Sequence, residues 1–314
     1  MMNYKKLFEK AGGKDILRQY LHTGMWWRGL LQIMASGWNI KSMEIFRHTA
    51  NLRVYLYIKK RYWKEFDSIN LNKFKGKREF CNKVWVCWFQ GMEQAPLIVR
   101  YCYEQMKRNL KNEEVVLITD KNMERYVQFP DYIVRKYRSG VITRTHLTDL
   151  LRLELLTRYG GTWIDSTVLC TGELPDFVTH SELFFYRTLK PGLDGHTIGL
   201  SSWFMSARSN SRLLVAVREL MYNYWRGNNH LIEYFLIHIF MQMAMEKYPE
   251  EIATMPKHCN SIPHILQLQL FEPYSDFLFR DVCAQTSIHK LSYKLNEKDM
   301  AKEGTFYDVI INKK

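Results

Sequence analysis

Residues 144–170 read RTHLTDLLRLELLTRYGGTWIDSTVLC, and the order of their parts decides the fold. The first half is a leucine-rich helix. At about 100° per residue Leu147, Leu151 and Leu155 share one side, while Leu153 and Leu156 lie well round from them. Such a helix is apolar on most faces and belongs in a core. Asp149 and Arg152 sit three positions apart on it, near enough to pair. Charge on a mostly buried helix is costly unless it is paired or liganded. Gly160 can take the left-handed conformation that ends a helix, and Gly161 gives the next turn the same freedom. Thr162 to Cys170 is β-branched and aromatic, which predicts a strand with Asp165 in its middle. An acid there does nothing for stability. It suits the exposed end of a strand or a metal ion.

Working outward, Lys83 to Phe89 (KVWVCWF) and Glu114 to Thr119 (EVVLIT) are apolar runs that predict central strands. Between them Gln90-Gly91 turns, Pro96 opens a helix and Leu97 to Leu110 continues it. Asp120 and Asp131 are placed to cap short helices. Strand, helix, strand, helix, strand predicts a parallel doubly wound α/β sheet, in which ligands bind outside the carboxyl ends of the strands. Leu183–Arg187 and Ser201–Ala207 are further strand candidates. Helices are expected from Ser209 to about Trp225 and from about Leu231 to Lys247. Pro191 to His196 reads as a loop near an acceptor.

The block Asp149-Leu-Leu-Arg152 with Tyr159-Gly-Gly-Thr-Trp-Ile-Asp165-Ser-Thr167 resembles the core of glycosyltransferase family 32, closest to its capsular polysaccharide synthesis proteins. Val84-Trp-Val-Cys-Trp88-Phe-Gln-Gly91 is similar to the opening block of that family, and Ser287-Ile-His289-Lys290 to its C-terminal one. The resemblance covers roughly residues 83–294. It implies an A-type, Rossmann-like nucleotide-sugar-binding fold and a retaining sugar transfer to a glycan acceptor, expected to be lipid-linked. It also implies that Asp149 and Arg152 contact the donor, that Trp88 and Gly91 lie near the base, and that Lys290 meets the diphosphate. Asp165 belongs to an Asp-x-Asp-type motif that reads Asp165-Ser166-Thr167 here, with threonine at the second acid. By the same analogy Asp165, Thr167 and His289 hold a divalent metal, Mn²⁺ or Mg²⁺, and Asp165, Arg152 and Asp149 form the catalytic set. From the residues alone, Asp149–Arg152 reads equally as a helical ion pair and Trp88 as core. The alternative to an enzyme is a non-catalytic relative that binds glycans or serves as a scaffold.

The net charge of +13 is uneven. Residues 1–80 hold 17 Lys and Arg against 6 Asp and Glu, a net of +11, and the remaining 28 against 26 leave +2. We therefore divide the chain into a basic helical segment, residues 1–80, and a catalytic domain, residues 81–314. Within the first, a helix from about Met43 to Phe66 carries an apolar stripe and many basic residues, and Trp26, Trp27, Trp38 and Trp63 accompany it. This mixture fits an element at the inner membrane surface, or an ordinary amphipathic helix on the main domain with a solvated basic face. Nucleic acid is not expected, for want of a recognisable binding motif. With no run approaching the ~18 apolar residues of a span and no signal-peptide pattern, a bacterial cytoplasmic location with peripheral membrane attachment is expected. Six cysteines without C-x-x-C spacing read as reduced thiols.

Overall fold

The two apolar runs flanking the first turn become β1 (Lys83–Cys87) and β2 (Glu114–Ile118), which pair in parallel, with the helix α3 (Leu97–Asn109) between them. The computed structural model describes residues 20–37, 39–69, 71, 78–189 and 197–312. Trp38 and the Pro191–His196 loop lie outside them. Ahead of the sheet stand α1 (Met25–Ser36) and α2 (Ile40–Tyr62). After β2 come α4 (Asp131–Arg138) and α5 (Arg144–Arg158), the leucine-rich helix, whose Thr143 side chain caps its first turn. Then follow β3 (Gly161–Ile164), β4 (Val168–Cys170), β5 (Leu183–Arg187) and β6 (Leu200–Ala207). The helices α6 (Arg212–Gly227), α7 (Leu236–Lys247) and α8 (Asp276–Gln285) and the short strand β7 (Ile288–Lys290) complete the chain.

The main sheet has the order β2-β1-β3-β6-β5. Its first three strands are parallel, as the alternation of strands and helices predicts. The rest is not: β6 runs antiparallel to β3, and β5 antiparallel to β6. The sheet is therefore mixed, parallel across β2, β1 and β3 and antiparallel across β6 and β5. Side chains alternate between its faces. Trp85, Trp163, Phe185 and Met205 face α5, α6 and α7, while Val84, Val86, Ile164 and Phe184 pack with Met106 of α3.

One expectation about the strands changes. The single strand predicted over Thr162–Cys170 is two strands in different sheets, β4 pairing with β7. A turn separates them, closed by the Val168 N–H donating to the Asp165 carbonyl at 3.0 Å. Val54, Ile58, Tyr62 and Phe66, which precede residue 80, join the cluster that holds Leu150 and Trp163. Tyr55 and Lys59 of α2 also bond to Glu246 of α7 at 2.6 Å.

Candidate active site

The turn after β3 is fixed by the two glycines. Gly160 and Gly161 both have positive φ, 74° and 93°, and a Cβ on Gly161 would stand 2.4 Å from the Lys83 carbonyl oxygen. The Trp85 indole N–H donates to the Gly160 carbonyl at 2.9 Å. Close approach of β3 to β1 thus requires glycine. It brings the end of β3, and Asp165 just beyond it, alongside the end of β1. Asp165 takes its backbone bond from β6, its N–H donating to the Trp203 carbonyl at 2.9 Å.

Around the Asp165 carboxylate three groups converge. The Trp163 indole N–H donates to its Oδ1 at 3.0 Å. The Arg152 guanidinium lies 3.7 Å from Oδ1, and the Lys290 ammonium 3.6 Å from Oδ2. Arg152 is buried, stacks 5.0 Å over the Trp163 ring and donates to the Ser202 carbonyl at 2.7 Å. Its other neighbour is Asp149, at 3.4 Å. Burial pushes the Asp149 carboxyl up to about 7 against the pull of Arg152. Lys290 also donates to the Thr167 hydroxyl at 2.5 Å, and the Leu291 N–H to the Thr167 carbonyl at 3.0 Å. The short β4–β7 ladder is what carries a lysine from near the C-terminus to the β3 turn.

These groups line one open cavity of about 530 Å³ at the carboxyl ends of β1 and β3. Trp88, Arg152, Asp165, Thr167 and Lys290 all reach it. Trp88 meets Tyr293 edge-on at 5.4 Å, and its buried N–H has no hydrogen-bond partner among the described residues. Asp149 lies behind Arg152 and is not on the cavity wall. Gly91 turns the chain after β1 with φ 83° but is not on the cavity wall.

His289 departs from its expected place. Neighbouring residues of a strand face opposite ways. With Lys290 toward Asp165, the ring of His289 is fully buried on the other side, 3.0 Å from the Thr171 hydroxyl. Burial pulls its pKa down to about 4. Its ring is not on the wall of this cavity. Among the described residues no three His, Cys, Asp or Glu side chains are gathered as a metal cluster. Oxygen donors on the cavity wall at the β3 turn include the Asp165 carboxylate and the Ser166 and Thr167 hydroxyls.

Sequence reasoning missed Ser202, Arg144, Tyr234 and Lys294. Ser202 anchors Arg152 from β6. The other three line the cavity. Arg144, in the first turn of α5, had a local signal in standing one turn before Thr148 on the same helix face. The others come from distant strands and loops.

The profile of the family described as capsular polysaccharide synthesis protein matches residues 35–310. The chain belongs to this family. The match begins well before residue 80, in keeping with the packing of α2 on the common core. Among curated proteins the family member is similar to the O-glycosyltransferase braB of Annulohypoxylon truncatum, 25% identical over 46% of this chain. It is also similar to the O-glycosyltransferase PaGT of Phomopsis amygdali, 24% identical over 45%. Either match spans 38% of the relative's length. Among solved structures it resembles the PaToxG glycosyltransferase, with a TM-score of 0.37 and 14% identity over 82% of this chain and 97% of the other.

Proposed function

We propose that this capsular polysaccharide synthesis protein is a glycosyltransferase of the family 32 type. On this reading it moves a sugar from a nucleotide-sugar donor to a glycan acceptor in capsular or surface polysaccharide synthesis, on an A-type scaffold and with retention. The observation that carries the reading is the Arg152–Asp165–Lys290 cluster, set in an open cavity at the ends of two parallel strands.

Breaking the bond between an anomeric carbon and a diphosphate oxygen leaves about two negative charges on the departing group, and fixed cations stabilise them as they develop. Arg152 and Lys290 supply that positive charge, with Arg144 and Lys294 nearer the rim. Ser202 and Asp149 hold the Arg152 guanidinium in one orientation, so no reorganisation is needed as the reaction proceeds. On this reading Trp88, on the cavity wall, receives the nucleotide base. The oxygen donors of Asp165 and Thr167 are of the type that Mn²⁺ or Mg²⁺ prefers, and these two residues would hold the ion. A bound divalent metal supplies Lewis-acid charge stabilisation to the leaving diphosphate. The non-catalytic alternative is favoured by a single observation, that both Asp165 oxygens already face cations.

The test is nucleotide release from a panel of nucleotide-sugars with Mn²⁺, Mg²⁺ or EDTA. Metal-dependent release of nucleoside diphosphate from one donor is expected, falling by about 100-fold or more in Asp165→Ala. Wild-type release from that variant overturns the role given to Asp165. Donor binding without release supports the non-catalytic reading.

A further inference from the structure

The helical hairpin α1–α2 presents apolar residues outward. Trp26, Leu30 and Met34 of α1 are 58%, 58% and 75% exposed, and Trp27 and Leu31 flank them. At about 100° per residue these five occupy an arc of roughly 140°, a broad apolar face. The opposite side of α1 is committed: Met25 is buried, and Gly29 lies against the Phe46 ring of α2. On α2, Ile45, Leu52 and Leu56 are exposed and lie roughly opposite Val54, Ile58 and Tyr62, which enter the core. Two apolar stripes therefore lie in the open on one hairpin. A broad exposed apolar face such as that of α1 marks a binding face.

The charge around it selects the occupant. Between residues 25 and 62 stand Arg28, Lys41, Arg47, Arg53, Lys59, Lys60 and Arg61 against Glu44 alone, a net of +6. A second copy of the chain seated on this face brings another +6 against it, which disfavours self-association. An anionic lipid surface attracts the cations and accepts the apolar residues together. The two tryptophans, with Arg28 at 4.1 Å over the Trp27 ring, have the amphipathic character of interfacial anchors. No helix among the described residues is long and apolar enough to cross a membrane, so contact is in the plane of the surface.

We infer that the outward face of α1, with the exposed stripe of α2, inserts into the headgroup layer of an anionic bilayer. The hairpin is tied to the cavity by a short path. His22, just ahead of α1, stacks on His230 at 6.1 Å, and four residues later Tyr234 reaches the cavity rim. The site is thereby held close to the lipid surface, where the lipid-linked acceptor of the proposed reaction would enter. That last step rests on the transferase reading, whereas the membrane contact does not.

The experiment is co-sedimentation of the full chain with phosphatidylcholine–phosphatidylglycerol vesicles and with pure phosphatidylcholine vesicles, comparing wild type with Trp26→Glu/Leu30→Glu. Both positions are exposed, and the variant is expected to keep the wild-type melting temperature. Wild type is expected to bind the anionic vesicles at least about tenfold better than the neutral ones, with the variant losing that binding about tenfold. Nucleotide release in vesicle-free buffer is expected to stay the same, which separates loss of membrane contact from loss of the proposed chemistry. Failure of wild type to bind, or binding that the two substitutions leave unchanged, overturns the inference. So does a wild-type dimer by light scattering that the variant converts to monomer while vesicle binding persists.

Discussion

The β3 turn and the N-terminal hairpin break the same rule in opposite directions. Ahead of the turn, charge is buried: Asp149 is 6% and Arg152 5% exposed, in a helix whose leucines fill the core. On the hairpin, apolar surface is left outside. Taking charge out of water and leaving tryptophan in it both cost free energy. Neither arrangement helps the isolated chain, and each acquires a purpose only with something bound. The two differ in how tightly the fold constrains them. The turn is locked by glycines, indole N–H groups and a β-ladder, whereas the hairpin is held by one face and free on the other.

The comparison breaks most visibly at Arg152. Its removal leaves Asp149 buried without its cation, and Arg152→Ala is expected to lose about 3–5 kcal/mol of stability together with donor binding. Because an unpaired buried carboxyl escapes by taking a proton, the loss should be larger at pH 8 than at pH 6. Denaturant unfolding at the two pH values measures it. Gly161→Ala comes next. With φ at 93° and the Lys83 carbonyl in the path of the new Cβ, a loss of about 3 kcal/mol or more is expected, read as a fall in melting temperature.

Acidification sharpens the contrast within the body of the protein. Burial holds His146 and His289 down to about 4, below their ordinary value of 6.5. A depressed folded pKa gives stability that is present above 6.5 and lost as pH falls toward 4. The expected slope is about 1.4 kcal/mol per pH unit for each histidine in that window. His289→Asn should remove one share of the slope in a pH series of unfolding curves, and an unchanged slope refutes the assignment. Smallest of all is Gly29→Ala in the hairpin. Its Cβ meets only the movable ring of Phe46, and a helix interior favours alanine. A net change within about 1 kcal/mol is expected, against the larger loss at Gly161.

The sequence by itself determined the local chemistry. Leucine spacing and the Gly160–Gly161 pair set a helix over 144–158 and a sharp turn after it, and Val84 to Cys87 set a buried strand. The acid, the arginine and the glycines were also legible as one constellation, because their roles depend on neighbours within about twenty residues. Only the tertiary structure decided the rest. The run Thr162–Cys170 satisfies strand propensity throughout. It breaks at Asp165 because its first half pairs with β1 and β6 and its second half with β7. That same pairing turns Lys290 toward Asp165 and His289 away, a choice of register that no periodicity within residues 287–290 contains. Propensity and spacing report the conformation of a segment and the polarity of its faces. Which face meets the core, which meets a distant strand and which is left open follow from contacts between residues far apart in the chain, and those exist only once it has folded.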